Sequence, residues 1–145
     1  MSRLLYEKSL TYQGHLIVPF VFGTLDSQPI YSYKLLSERG SKGKYHKAEN
    51  PATIYSGSLD EIIKIAKEHL DQNTDVLISF DLFKVRYTYH DNLIVISDLS
   101  GKFFYDHYPP TSLNNLAAPR IFKSEQECIN WVKQGFDRSH TGKSV

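Results

Sequence analysis

Two segments with helical apolar spacing, each opened by the same Ser-x-x-Glu signal and preceded by strand-like runs rich in Tyr, Phe, Val and Ile, predict an α+β chain. The expected architecture is antiparallel sheet with two amphipathic helices, built as an internal duplication of a β-β-(β)-α unit. A length of 145 residues, 41% of them hydrophobic and 13% aromatic, suffices for one domain whose core needs neither metal nor disulfide. That domain is expected over residues 1–136, with halves at about 14–72 and 82–136. Residues 137–145 read as a polar tail, expected to be flexible.

Strand signals open the chain at Leu4 to Leu10, His15 to Phe22 and Ile30 to Leu36. Pro19 has no N–H to give to a ladder, so it demands an edge position or a bulge. A helix is expected from about Leu59 to Leu70, with Leu59, Ile62, Ile63, Ala66 and Leu70 on one face. Ser58 and Glu61 form its capping box. Further strands are expected at Leu82 to Tyr89, Leu93 to Ile96 and Lys102 to Asp106, joined by turns at His90-Asp91-Asn92 and Ser100-Gly101. Thr111 to Pro119 reads as a loop with Leu113 and Leu116 tucked inward. The second helix, from about Glu125 to Phe136, places Cys128, Ile129, Val132 and Phe136 on its apolar face with Trp131 at the margin, and Ser124 and Glu127 repeat the capping box.

Superposing the two serines equates Ile62 with Cys128, Ile63 with Ile129, Ala66 with Val132, Lys67 with Lys133 and Leu70 with Phe136. Upstream, Ile54-Tyr55 and Ile121-Phe122 precede the boxes, and Gly43-Lys44-Tyr45 is set more loosely against Gly101-Lys102-Phe103.

Lys and Arg total 17 against 16 Asp and Glu, so no global field announces nucleic acid or an anionic membrane. The single cysteine, Cys128, excludes an intramolecular disulfide framework, and no glycosylation sequon occurs. With no targeting or transmembrane segment visible, a cytoplasmic location without membrane contact is expected.

The densest charge lies between Lys34 and Lys47, where Lys34, Arg39, Lys42, Lys44 and Lys47 face only Glu38. Gly40 and Gly43 would let the backbone approach an anion, and Tyr45 and His46 would stack or hydrogen-bond. Arg39, Lys42, Lys44, Tyr45, His46 and Lys47 are therefore the candidate binding residues, although a solvated turn is the ordinary meaning of such a segment. The acids Asp60, Glu61, Glu68, Asp71, Asp75 and Asp81 balance it and leave the chain electrically two-sided. No histidine spacing suits a metal and one cysteine cannot build a zinc cage, so neither metal nor cofactor is expected. His46, Glu49, Asp106 and His107 are the candidates for acid–base catalysis, should the two halves bring them together. Tyr31 and Tyr33, like Tyr87 and Tyr89, share a strand face and suit packing better than base stacking. Cys128 reads as an inert core residue.

With no catalytic motif, the leading expectation is a non-enzymatic binding or regulatory module whose partner is another protein or a second copy of itself. An exposed patch drawn from Tyr12, Phe20, Tyr31, Tyr33, Phe104 and Tyr108 would mark it. The second reading is a nucleic-acid-binding protein that adds Arg86 and Lys102 to the basic segment. The third is a small hydrolase or nuclease with a His–carboxylate site.

Overall fold

The computed structural model describes residues 2–75 and 81–142, with side chains through Arg138. The chain is α+β, with two antiparallel three-stranded sheets and two helices. The first sheet is β1 (Leu10–Tyr12), β2 (His15–Leu25) and β3 (Gln28–Ser37), followed by α1 (Leu59–Asn73). The second is β4 (Arg86–Tyr89), β5 (Asn92–Leu99) and β6 (Lys102–Tyr108), followed by α2 (Glu125–Gly142). Each sheet is a plain meander. The four hairpins, two in each sheet, turn on Gln13-Gly14, Asp26-Ser27, His90-Asp91 and Ser100-Gly101, all with positive φ at both positions, the turn geometry that matches strand twist.

Alternation along the strands sorts the core into three layers. Ile17, Tyr33 and Leu35 face α1 and bury Ile62, Ala66 and Leu70. Leu16, Val18 and Phe20, one residue out of phase with Ile17, face the second sheet and meet Leu93, Val95 and Tyr108, with Leu4, Tyr6, Phe83 and Leu113 completing the layer. On the far side Ile94, Ile96, Tyr105 and Phe122 pack against Cys128 and Val132 of α2. The order is therefore helix, sheet, sheet, helix. Among the described residues no helix is long and apolar enough to cross a membrane.

Several expected boundaries move. Leu4 to Leu10 is not a strand: Leu4 makes one bridge to Phe20, and Tyr6–Lys8 is a single 3₁₀ turn. The turn buries Tyr6 and lets its hydroxyl donate to the Pro109 carbonyl at 2.6 Å, while Leu4 is buried just before it. Leu82 to Tyr89 shortens to Arg86–Tyr89, because Phe83 turns into the inter-sheet layer and the Lys84 N–H closes a turn on the Asp81 carbonyl. Leu116 does not tuck in: it is exposed, while Leu113 is buried. α2 continues to Gly142, so residues 137–142 are helical; residues 143–145 of the expected tail lie outside the described residues.

Pro19 sits in the middle strand, where a missing donor should hurt. β1, however, pairs with β2 only as far as Ile17, and the Pro19 carbonyl accepts from the Leu5 N–H at 2.9 Å. Nitrogen and carbonyl of one strand residue point to the same side, so the missing donor faces the N-terminal segment and no β2–β3 bond is lost. The expected bulge exists separately, between Val21 and Gly23.

Both helix starts hold half of the capping box. Ser58 Oγ accepts from the Glu61 N–H at 3.3 Å, and Ser124 Oγ from the Glu127 N–H at 3.1 Å. At α1 the Ser58 N–H goes to Ser56 Oγ, in place of the Glu61 carboxylate. The looser upstream match fails. Gly101 lies in the β5–β6 turn with φ +81°, whereas Gly43 follows β3 with extended backbone, so the counterpart of Ser100-Gly101 is the β2–β3 turn at Asp26-Ser27.

Candidate functional site

Residues 38–57 run from β3 back across the sheet to α1, and their first part forms one wall of a cleft. Ser37, buried at the end of β3, fixes that wall: its Oγ accepts from the Arg39 N–H at 3.1 Å, and its N–H donates to His46 Nδ1 at 3.1 Å. The Gly43 N–H closes a 3₁₀ turn on the Gly40 carbonyl at 2.9 Å. A Cβ at position 43 would fall far inside van der Waals contact of the Ser37 side chain, so only glycine lets the loop lie this close. The result is a cleft of about 310 Å³ between Arg39, Lys42, Gly43 and Lys44 on one side and Asn73, Thr74 and Asp75 at the end of α1 on the other.

Its floor is His15 and Tyr45, ring centroids 6.4 Å apart and both buried. His15 Nδ1 lies 2.7 Å from the Gln13 carbonyl, and burial pushes the imidazole below its ordinary pKa, so the floor carries little charge at neutral pH. Lys44 Nζ stands 5.1 Å from the Tyr45 ring centre. Arg39, Lys42 and Lys44 are exposed, and none has an ion-pair partner among the described residues. Of the two acids at the rim, Glu38 Oε2 accepts from the Leu82 N–H at 3.3 Å.

Four of the six binding candidates, Arg39, Lys42, Lys44 and Tyr45, therefore line one cleft, whereas His46 and Lys47 do not. Neither cation of the second half extends it. Arg86 donates to the Phe83 and Ser9 carbonyls, and Lys102 begins β6 at its hairpin turn.

The acid–base candidates do not gather at one point. Glu49 lies 3.7 Å from Lys34 Nζ. His107 faces α2, edge-on to Phe136, with Nε2 2.9 Å from Asn92 Oδ1. Asp106, its neighbour, points to the opposite face of β6, accepts from Asn115 Nδ2 at 2.8 Å, and is pushed above the usual carboxylate range by burial. It does feel the charge of His46, whose own pKa burial lowers, but no hydrogen bond joins the two. Cys128 is buried, its thiol pushed up to about 11 by burial and by the Glu125 and Glu127 carboxylates, which leaves almost no thiolate at neutral pH. Among the described residues no three His, Cys, Asp or Glu side chains are grouped to hold a metal.

The expected aromatic patch is not one. Phe20, Tyr33 and Tyr108 are buried in the layers above, and Tyr12, Tyr31 and Phe104 are half-buried, because their strands are covered on both faces. A different exposed feature lies at one end of the first sheet, where Phe22 (55% exposed) and Tyr55 (44%) pair with ring centroids 4.7 Å apart; Leu25 and Ile54, close to them in sequence, are exposed as well. The Tyr31–Ser56 bridge draws the segment carrying Ile54 and Tyr55 up to β3. In the sequence Phe22 and Leu25 stand on either side of Gly23-Thr24, just before the β2–β3 turn.

The chain matches no protein-family model, no curated protein and no solved structure with which it was compared.

Proposed function

We propose that this chain is a non-enzymatic binding or regulatory module that acts by contact with a protein, using the exposed end of the first sheet. The observation that carries the reading is the Phe22–Tyr55 ring pair left in solvent, with Leu25 and Ile54, close to it in sequence, exposed too. Scattered exposed apolar residues are ordinary, whereas a cluster of them is characteristic of a contact surface. Its recognition is apolar, with aromatic anchors of the kind that dominate protein interfaces. Of the acid–base candidates weighed from the sequence, Glu49 is engaged with Lys34 and His107 with Asn92.

Pull-down from host lysate with the intact chain and with Phe22→Ser/Tyr55→Ser, at two salt concentrations and with and without nuclease, tests this. The expected result is a defined protein partner that survives high salt and nuclease and is lost with the double variant. Material retained by the double variant, or nucleic acid released by salt and by Lys42→Glu/Lys44→Glu, would overturn the reading. Sedimentation of the purified chain identifies the case in which the partner is a second copy.

A further inference from the structure

The cleft shares no residue with the aromatic patch, and its chemistry is different. Three cations converge on it without ion-pair partners among the described residues, and the wall that carries them is pinned from beneath by Ser37, His46 and the close approach of Gly43. A basic turn that is merely solvated has no need of such anchoring. The opposite wall is polar and includes a carboxylate, Asp75; Glu38 stands at the rim beside Arg39 with Oε2 accepting from the Leu82 N–H, and the floor is the His15–Tyr45 pair of rings.

The geometry points to a binding site for a small phosphate ester, its phosphate held by Arg39, Lys42 and Lys44 and its hydroxyl groups by Asp75 and Asn73. Charge-assisted hydrogen bonds from a guanidinium and two ammonium groups suit a phosphate. A carboxylate across the cleft repels a second phosphate but accepts from hydroxyls, which selects a phosphorylated polyol over a polyanion. Size agrees, since about 310 Å³ is the lower end of small-ligand pockets. A nucleic-acid strand would need the basic surface to continue, and Arg86 and Lys102 do not continue it.

Titration of the isotopically labelled chain with ribose 5-phosphate, inorganic phosphate and ribose, read by amide NMR shifts, tests the site. Ribose 5-phosphate is expected to bind more tightly than inorganic phosphate and ribose not measurably, with shifts concentrated at Gly43, Lys44, Asn73 and Thr74. Lys42→Ala/Lys44→Ala and, separately, Arg39→Ala are each expected to weaken binding about tenfold or more, given the strength of hydrogen bonds to charged groups. Unchanged melting temperatures show that these exposed substitutions leave the fold intact. Shifts spread over all lysines, equal binding by the Ala variants, no shift with either phosphate, or tighter binding of a single-stranded oligonucleotide would each overturn the proposal. The patch variant Phe22→Ser/Tyr55→Ser is expected to bind ribose 5-phosphate normally, so the two proposals fail separately.

Discussion

The two halves use the same frame and finish it differently. In each, a hairpin tyrosine reaches the helix that closes its sheet: Tyr12 Oη donates to Asp71 at 2.8 Å and Tyr89 Oη to Asp137 at 2.9 Å. Lys67 Nζ lies 5.4 Å from the Tyr12 ring centre, and Lys133 Nζ 5.5 Å from that of Tyr89. The seal under the helix differs. α1 closes on Ile17, Leu35, Tyr33 and Tyr45, with His69 edge-on to Tyr45 at 5.0 Å, whereas under α2 Trp131 packs 5.6 Å from Phe122 and 5.9 Å from Tyr105, with Arg120 stacked 5.2 Å from the Trp131 ring. The connection differs too. Twenty residues, 38–57, separate β3 from Ser58, against fifteen, 109–123, between β6 and Ser124, and the longer connection carries the basic wall of the cleft. A shared frame thus fixes the layers, and the connection from sheet to helix is where binding chemistry is added.

The largest effects should come from the layer that both halves share. Leu16 and Leu93 occupy matching places on β2 and β5 and are both fully buried between the sheets. Leu16→Ala and Leu93→Ala are each expected to cost about 2–5 kcal/mol, the range for truncating a buried leucine. Because one layer serves both sheets, urea unfolding followed by Trp131 fluorescence, which reports the second half, should coincide with unfolding followed by circular dichroism. Two separate transitions would mean the halves are independent domains, and the comparison would have to be redrawn.

A smaller effect distinguishes the halves by pH. His15 begins β2 where Asn92 begins β5, and burial depresses the imidazole below its ordinary 6.5. A base with a lowered folded pKa gives stability that is complete above the unfolded pKa and is lost as pH falls from there through the folded value. Between pH 7.5 and 5 the intact chain should therefore lose urea resistance, and His15→Asn, which copies the second half, should lose less. Part of the slope should persist, because burial also lowers His46, His69 and His107. An unchanged slope in His15→Asn would show that His15 titrates alike folded and unfolded.

What could be read from sequence follows from how local each signal is. The starts of α1 and α2 were legible because a Ser side chain caps an amide three residues away, and the inward faces followed from spacing alone. Leu4 to Leu10 was misread because the 3₁₀ turn there depends on Pro109 and Ser112, about a hundred residues away, accepting the Tyr6 hydroxyl. The likeness of the halves extends to their first hairpins. Tyr12-x-x-His15-Leu16-Ile17-Val18 is matched by Tyr89-x-x-Asn92-Leu93-Ile94-Val95, but aligning on the helices hides it because both the strands and the connections differ in length. Of the site, the cations on 39–44 were visible as a charge run, whereas His15 and Asn73 to Asp75 reach the cleft only through the fold.

The smallest expected effect is the one that tests the likeness of the halves most directly. Tyr12→Phe and Tyr89→Phe each remove a hydroxyl that bonds an exposed carboxylate and keep the ring that the lysine covers. Each carboxylate retains a second contact from a matching turn position, Asp71 from Gln13 Nε2 at 3.0 Å and Asp137 from His90 Nε2 at 3.8 Å. Exposed bonds of this kind are screened by water and contribute little, so both variants should lower the melting temperature slightly and by similar amounts. The double variant should show the sum, since the two tethers hold different helices and share no partner. A large loss from one tyrosine alone would mean that its hydroxyl secures more than a helix end, and that the halves differ in their frame as well as in what is built upon it.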